Sequence, residues 1–426
     1  MITFIMLGSF LALMMARVPV SIAITVAAIV AIVGGGYSLV QVPQIVASST
    51  KSVPLMAIPF FILAANLMNA FGISQKIFDF ATAAIGFMRG GLAQVNVLAS
   101  MIFAGISGAA VADAAGLGTI EVRAMDRAGY KPDFSAAVTL ASSTIGPIIP
   151  PSIMMLIYSV TANVSPAAMF LAGLVPGAVI GLILMATIYF RVVTGKQECP
   201  DPIPFSLARL ARTAVDGLFA LVTPVIILWG MVGGVVTPTE AGVLAVAYSL
   251  VLGAFYRTLR FRELRVVLRE TSITTAHILY ILAVSHLLSY ILVSEGVAYD
   301  LSDAISRSTD DPYLFLVLAN IFLLILGCLL ETLPAMLIAV PVFLPAVDAL
   351  GIDRVHFGVV VIFNLLVGII TPPMGIGLYI LISISRVRFG ELVSAVIPYL
   401  ITLLIALGLI TFVPALTLFL PNVLLD

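Results

Sequence analysis

Residues 103–159 read FAGISGAAVADAAGLGTIEVRAMDRAGYKPDFSAAVTLASSTIGPIIPPSIMMLIYS, and the chain writes this pattern a second time. Displaced by 222 positions, Gly105 falls on Gly327, Gly129 on Gly351, Gly146 on Gly368, Ile148 on Ile370, Pro150 and Pro151 on Pro372 and Pro373, and Leu156 on Leu378, with no gap. In each copy a break (ISGAA at 106–110, CLLETLP at 328–334) interrupts one apolar segment. A Gly-x-x-x-Pro-Pro break (GPIIPP at 146–151, GIITPP at 368–373) interrupts the next. Interrupted apolar segments in corresponding halves of one chain point to a binding site at the bilayer midplane of a transporter.

The rest of the chain supports a membrane setting. Of 426 residues, 62% are hydrophobic and 10% charged, and the mean hydropathy is +1.21. Apolar runs long enough for helical spans of about 20 residues recur, and none alternates as a barrel strand does. The expected class is an all-α polytopic membrane protein. The amino terminus lacks a basic n-region and a small-residue cleavage site, so it reads as a first span. Cys199 and Cys328 fall in a loop and a membrane segment, which argues against a disulfide or a metal site. No Gly-rich nucleotide loop occurs, so the driving energy must come from elsewhere, and no nucleic-acid partner is expected.

Taken in order, spans are expected at 1–16 and 18–36 around Arg17-Val18-Pro19, followed by a polar loop through Lys51 and a span over 53–70. An interfacial segment at 72–90, a re-entrant hairpin at 92–120, a span over 133–160 broken at Gly146–Pro151, and a span at 166–190 complete a first repeat, 1–190. A basic, Pro-bearing linker at 191–212 marks the seam. The second repeat, 213–426, places spans at 217–235, 239–255 and 272–293, with a basic loop (YRTLRFRELRVVLRE) before the last of these. An interfacial segment at 296–311 follows, with an acidic rim of Asp300, Asp303, Asp310 and Asp311. A hairpin at 313–345, a broken span at 354–382 and a last span at 391–419 end the chain. Trp229 reads as an interfacial anchor. Each half then has about five crossings and one hairpin, and an odd number turns the second copy upside down. With the amino terminus outside, 17 of the 20 lysines and arginines fall inside, leaving Lys51, Arg307 and Arg354 outside. This division obeys the positive-inside rule. The first hairpin then enters from the cytoplasm and the second from the opposite face.

Uncovered main chain at membrane depth is tolerated only where protein or a cavity surrounds it. Four such breaks brought together would supply carbonyls and hydroxyls for a hard cation such as sodium, from Ser107, Ser142, Ser143, Thr144, Thr332 and Thr371 and from the backbone near Gly108, Gly146 and Gly368. Two cation sites are expected, one per half, with a carboxylate-bearing substrate between them. Plainer roles compete at each position. A membrane Gly or Pro also serves as a kink or packing contact, and a hydroxyl also satisfies a local carbonyl. Asp113 and Glu331 are the acids within the two hairpin stretches, and buried ionisable groups at this depth mark function by default. A protonated acid bonded to neighbouring backbone is the plainer alternative. His277 and His286, nine residues apart on one helix, point in nearly opposite directions.

At these residues the chain resembles the large membrane subunit of the tripartite ATP-independent periplasmic (TRAP) transporters, the DctM-like family. The resemblance spans nearly the whole length. It rests on PLMAIPFFILAANLM (54–68), FAGISGAAVADAAGLGTI (103–120), GYKPDFSAA (129–137), GPIIPPSI (146–153), GGVVTPTEAG (233–242), GIDRVHFG (351–358) and GIITPPMGIGLY (368–379). It implies an elevator-type transporter of the bacterial inner membrane, driven by a sodium gradient. The partners it implies are a small four-helix membrane subunit and a periplasmic binding protein that delivers an organic acid such as a C4-dicarboxylate, a sialic acid or another sugar acid. Carried over by position, one sodium falls to Ser107, Gly108, Ser143, Thr144 and Gly146, and another to Glu331, Thr332, Gly368 and Thr371. Asp113, Ser107, Ala109, Pro150, Ser152, Glu331 and Pro372 fall around the substrate. Family members often carry hydroxyls where this chain has Ala109 and Ala110, and Asp where it has Glu331. The alternatives are a stand-alone dicarboxylate symporter of similar design, an intramembrane enzyme, for which no nucleophile–base pair is found, and a passive channel.

Overall fold

The computed structural model describes residues 2–16, 18–49, 51–108, 110–297, 311–372 and 375–425. Arg17, Ala109, Asp300, Asp303, Arg307, Asp310 and Pro373 lie outside the described residues, as does most of the segment at 296–311. Every regular element among the described residues is helical. Among the described residues, seven helices are long and apolar enough to cross a membrane, or eight if a bent pair between Leu207 and Val232 counts as one span. The remaining apolar helices are short because the chain breaks them.

In the first half, α1 (Ile2–Met15) and α2 (Val20–Gly34) pack as a pair on either side of Pro19. The expected polar loop instead contains α3 (Gln41–Ser49), whose Gln41 accepts a hydrogen bond from Tyr290. A 3-10 turn (Val53–Met56) leads into α4 (Ala57–Ala70). The segment read as interfacial forms α5 (Ile73–Ile85), which buries Ile73, Ile77, Phe78 and Ala81. Its opposite face keeps a Gln75–Asp79 hydrogen bond. Then follow α6 (Leu92–Ser107), α7 (Ala110–Ala115), α8 (Leu117–Arg127), α9 (Pro132–Ser143), α10 (Ile153–Ala162) and α11 (Pro166–Val193). Pro132 and Pro166 open their helices at positions whose N–H has no partner to lose, and Ser165 caps α11 through the Ala168 amide.

The second half runs α12 (Leu207–Val232), α13 (Pro238–Phe255), α14 (Phe261–Ser294), α15 (Pro312–Leu329), α16 (Thr332–Ala349), α17 (Arg354–Ile370), α18 (Ile376–Ser385), α19 (Phe389–Phe412) and α20 (Ala415–Leu425). One expectation holds only in part: residues 256–260 of the basic stretch form a turn and loop, and the remainder is helical. It forms the first turns of α14, whose 34 residues give a length of about 51 Å at 1.5 Å per residue. Arg, Glu and Leu are good helix formers, and Val267 and Thr271 bury the inner face while the arginines stay outside. The last span is also divided, at Val413 and Pro414, into α19 and α20.

Helix boundaries recur at the offset seen in the sequence. Ala110 and Thr332 open the returning arms of the two hairpins, and Pro132 and Arg354 open the two interrupted spans, each pair 222 positions apart. Packing is reciprocal as well. The second half of the first broken span, α10, packs on α16 and α17, while its counterpart α18 packs on α7 and α9. In the same way α2 packs on α14 and α4 on α13. One difference is local: the first returning arm breaks at Gly116 between α7 and α8, whereas α16 is continuous through Pro341 and Pro345.

Polar side chains fasten each hairpin to its neighbouring broken span. In the first half Asn96 donates to Thr139 at 2.7 Å and accepts from Ser142 at 2.7 Å. In the second, Asn364 donates to the Asn320 side chain at 2.7 Å and to its carbonyl at 3.0 Å. Ser142 and Asn364 occupy equivalent places in the duplication. All of these groups are at least partly buried, where an unmade hydrogen bond is costly.

Candidate functional site

The first hairpin turns at Gly108, which holds φ 60°, a conformation that a side chain disfavours. A Cβ there would lie 2.8 Å from the Pro151 carbonyl oxygen and 3.3 Å from the Ile153 nitrogen. The hairpin tip therefore rests on the backbone of the Gly-Pro break. That break is tied together by Ser152, whose hydroxyl donates to the Pro147 carbonyl at 2.6 Å and accepts from the Met155 amide at 3.2 Å. Ser152 is thus a cap for α10. Pro150 turns its carbonyl toward Gly105.

Behind the tip lies a buried acid. Asp113 is 1% exposed, neither carboxylate oxygen has a hydrogen-bond partner, and Oδ2 sits 3.7 Å from the place of a Gly146 Cβ. Ser100 approaches Asp113 but gives its proton to Ser142. Ser143 donates to the Leu140 carbonyl at 2.8 Å and Thr144 to Ala141 at 2.7 Å. Their protons are spent within the helix, which leaves oxygen lone pairs as acceptors. Gly146 lies beside Asp113, and Ser143 and Thr144 end α9 just before it, so the oxygens of this stretch are of the kind a hard cation takes.

In the second half the approach is closer still. A Cβ on Gly368 would lie 2.5 Å from the Gly327 carbonyl carbon, so α15 and α17 touch backbone to backbone there. Thr371 ends α17, with its hydroxyl donating to the Val367 carbonyl at 2.7 Å, and its own carbonyl accepts from Gly375 at 3.2 Å. Glu331 begins the returning arm without a capping bond, and Thr332 is buried with an unpartnered hydroxyl.

A cavity of about 320 Å³ joins the halves. Gly108, Pro147 and Ile153 line it from the first half, Glu331, Thr332 and Ile369 from the second, and Thr274 and His277 from α14. The structure thus brings Gly108, Glu331 and Thr332 to one space. Asp113, Ser143, Thr144 and Gly146 do not line the cavity, nor do Ser152, Gly368, Thr371 and Pro372. Ala109 and the Ser107 side chain fall outside the described parts of the molecule.

One residue escaped the sequence reading. Glu121 in α8 is 1% exposed with both carboxylate oxygens unpartnered, and it interacts with Asp113. The expected hairpin stopped at residue 120, one short. Its signal was periodicity, since Leu117, Glu121 and Met125 share one face at four-residue spacing and all three are buried. His277, singled out in the sequence as pointing away from His286, is placed on the cavity wall by α14.

Comparison with known proteins follows the same outline. The DctM component of the tripartite ATP-independent periplasmic transporters matches residues 7–416. The chain is 40% identical over 372 residues to the sialic acid TRAP transporter large permease protein SiaM of Vibrio cholerae, covering 87% of each chain. It is 37% identical over 369 residues to the C4-dicarboxylate TRAP transporter large permease protein DctM of Pseudomonas aeruginosa, covering 86% of each. Among solved structures it is similar to MtrF of Neisseria gonorrhoeae, with a TM-score of 0.67 at 14% identity, covering 88% of this chain and 84% of that one. At that identity the likeness concerns the fold.

Proposed function

The chain belongs to the DctM component family of the tripartite ATP-independent periplasmic transporters, and from that premise we propose that it imports an organic acid across the bacterial inner membrane, driven by sodium. The observation that carries this reading is the meeting of two hairpin tips and α14 at one cavity, with oxygen-rich breaks behind it. A buried carboxylate without a partner is expensive, and a bound cation offsets that cost. One sodium is held at the α9 end by Ser143, Thr144, Gly146 and the hairpin tip at Ser107 and Gly108. A second lies near Glu331, Thr332, Gly368 and Thr371. The acid occupies the cavity between them.

The relatives' printed cargoes, sialic acid and C4-dicarboxylate, set the substrate class proposed. A small four-helix membrane subunit braces the outer helices, and a periplasmic binding protein delivers the acid. The two halves lie inverted, and the hairpins with their broken spans move as one body, in the manner of an elevator. Their hydrogen bonds through Asn96 and Asn364 support such a rigid unit.

The test is reconstitution of the chain with its small subunit in proteoliposomes. Accumulation of labelled succinate or N-acetylneuraminate that needs both an inward sodium gradient and the binding protein supports the proposal. Accumulation from free acid without a binding protein supports a stand-alone symporter instead, and equilibration without accumulation supports a channel.

A further inference from the structure

We propose that His277, with Thr274 one turn before it, forms the cargo carboxylate's seat on the α14 wall of the cavity, opposite the N-terminus of α16. The inference rests on the reading of this cavity as the cargo site. No lysine or arginine lines it, and His277 is the one basic side chain among the described residues that do. Thr274, His277, Ile278 and Ile281 form a single stripe of α14 facing the space. The stripe is apolar at one end and hydrogen-bonding at the other.

The facing wall completes the seat. The first amides of α16 have no intrahelical partners, and a helix N-terminus favours negative charge. A second observation points to a ligand here: Thr332 is 1% exposed and lines the same cavity, and its hydroxyl has no hydrogen-bond partner. An anionic oxygen between them gains the Thr332 O–H and the imidazole N–H, both charge-assisted bonds. Glu331 lines the same cavity close enough to His277 for their charges to interact, and it repels a cargo carboxylate until a cation neutralises it, the role proposed for sodium above. Cargo then binds well only after sodium, and recognition of its charge comes from a helix outside both hairpins.

The experiment uses the purified complex of this chain with its small subunit, in detergent with saturating sodium, titrated with succinate or N-acetylneuraminate while thermal unfolding is followed. His277→Leu is expected to raise the half-saturating acid concentration by about tenfold or more, the loss of one bond to a charged group. His277→Gln, which keeps an N–H, is expected to fall between Leu and wild type, and Thr274→Val to give a smaller rise. Sodium half-saturation without acid is expected to stay within about twofold of wild type, which a general loss of structure would not allow. A wild-type acid curve in both His277→Leu and Thr274→Val overturns the seat while leaving the cargo reading intact. Failure of the wild-type complex to bind or accumulate either acid rejects the cargo reading and the seat with it.

Discussion

Gly368 shows how much a single missing side chain decides. Its Cα faces Gly327 so closely that a methyl group would press on backbone atoms rather than on a side chain that can swing away. Gly368→Ala is therefore expected to cost about 1–3 kcal/mol, read as a lower melting temperature of the purified complex. Gly408, in α19, has no atom near its missing Cβ, so Gly408→Ala is expected to be neutral or mildly stabilising. Thr371 tests the ion reading: Thr371→Ala is expected to raise the sodium concentration for half-maximal uptake on the order of tenfold, with acid affinity changed less. An unchanged sodium curve rejects that ligand. Cys199, in the linker, is half-buried, which pushes its thiol up to about 11. Because the thiolate is the reactive form, alkylation of Cys199 is expected to be slow at pH 7 and to rise steadily to pH 9.5. A plateau near pH 9 contradicts this.

At the scale of elements, the hydrogen bonds that fasten each hairpin to its broken span make a paired prediction. Asn96→Leu and Asn364→Leu are each expected to destabilise the complex by about 0.6–1.7 kcal/mol, the range for polar contacts between membrane helices. Melting temperatures that fall for one and not the other contradict equivalent roles. Breaks were legible in the sequence because glycine, proline and small polar residues interrupt otherwise continuous apolar runs. Helix extents were less so. The first turns of α14 carry arginines, and charge reads as loop although the same residues propagate a helix well. α3 and the division between α19 and α20 likewise leave little hydropathic trace. At the site, Glu121 was hidden because its helix runs past the apolar stretch. The sequence singled out both His277 and His286, but which face of α14 meets a cavity is fixed by long-range packing, which no local pattern records.

For the whole molecule, the claim is that one sequence plan, used twice, builds two interlocked halves whose interrupted helices meet at a shared space. Matching helix boundaries and exchanged contacts carry the duplication, while the opposite orientation of the halves is the proposal that the count of spans and basic residues supports. Under that proposal, tips entering from opposite faces meet at the bilayer midplane and each hairpin base opens to a different side. Single cysteines placed at Arg123 and Asp348, the bases of the two hairpins, in a chain with Cys199 and Cys328 replaced, measure it directly with a membrane-impermeant thiol reagent on intact spheroplasts and on inverted vesicles. The account predicts that Arg123→Cys reacts only from the cytoplasmic face and Asp348→Cys only from the periplasmic face. Reaction of both from the same face contradicts it.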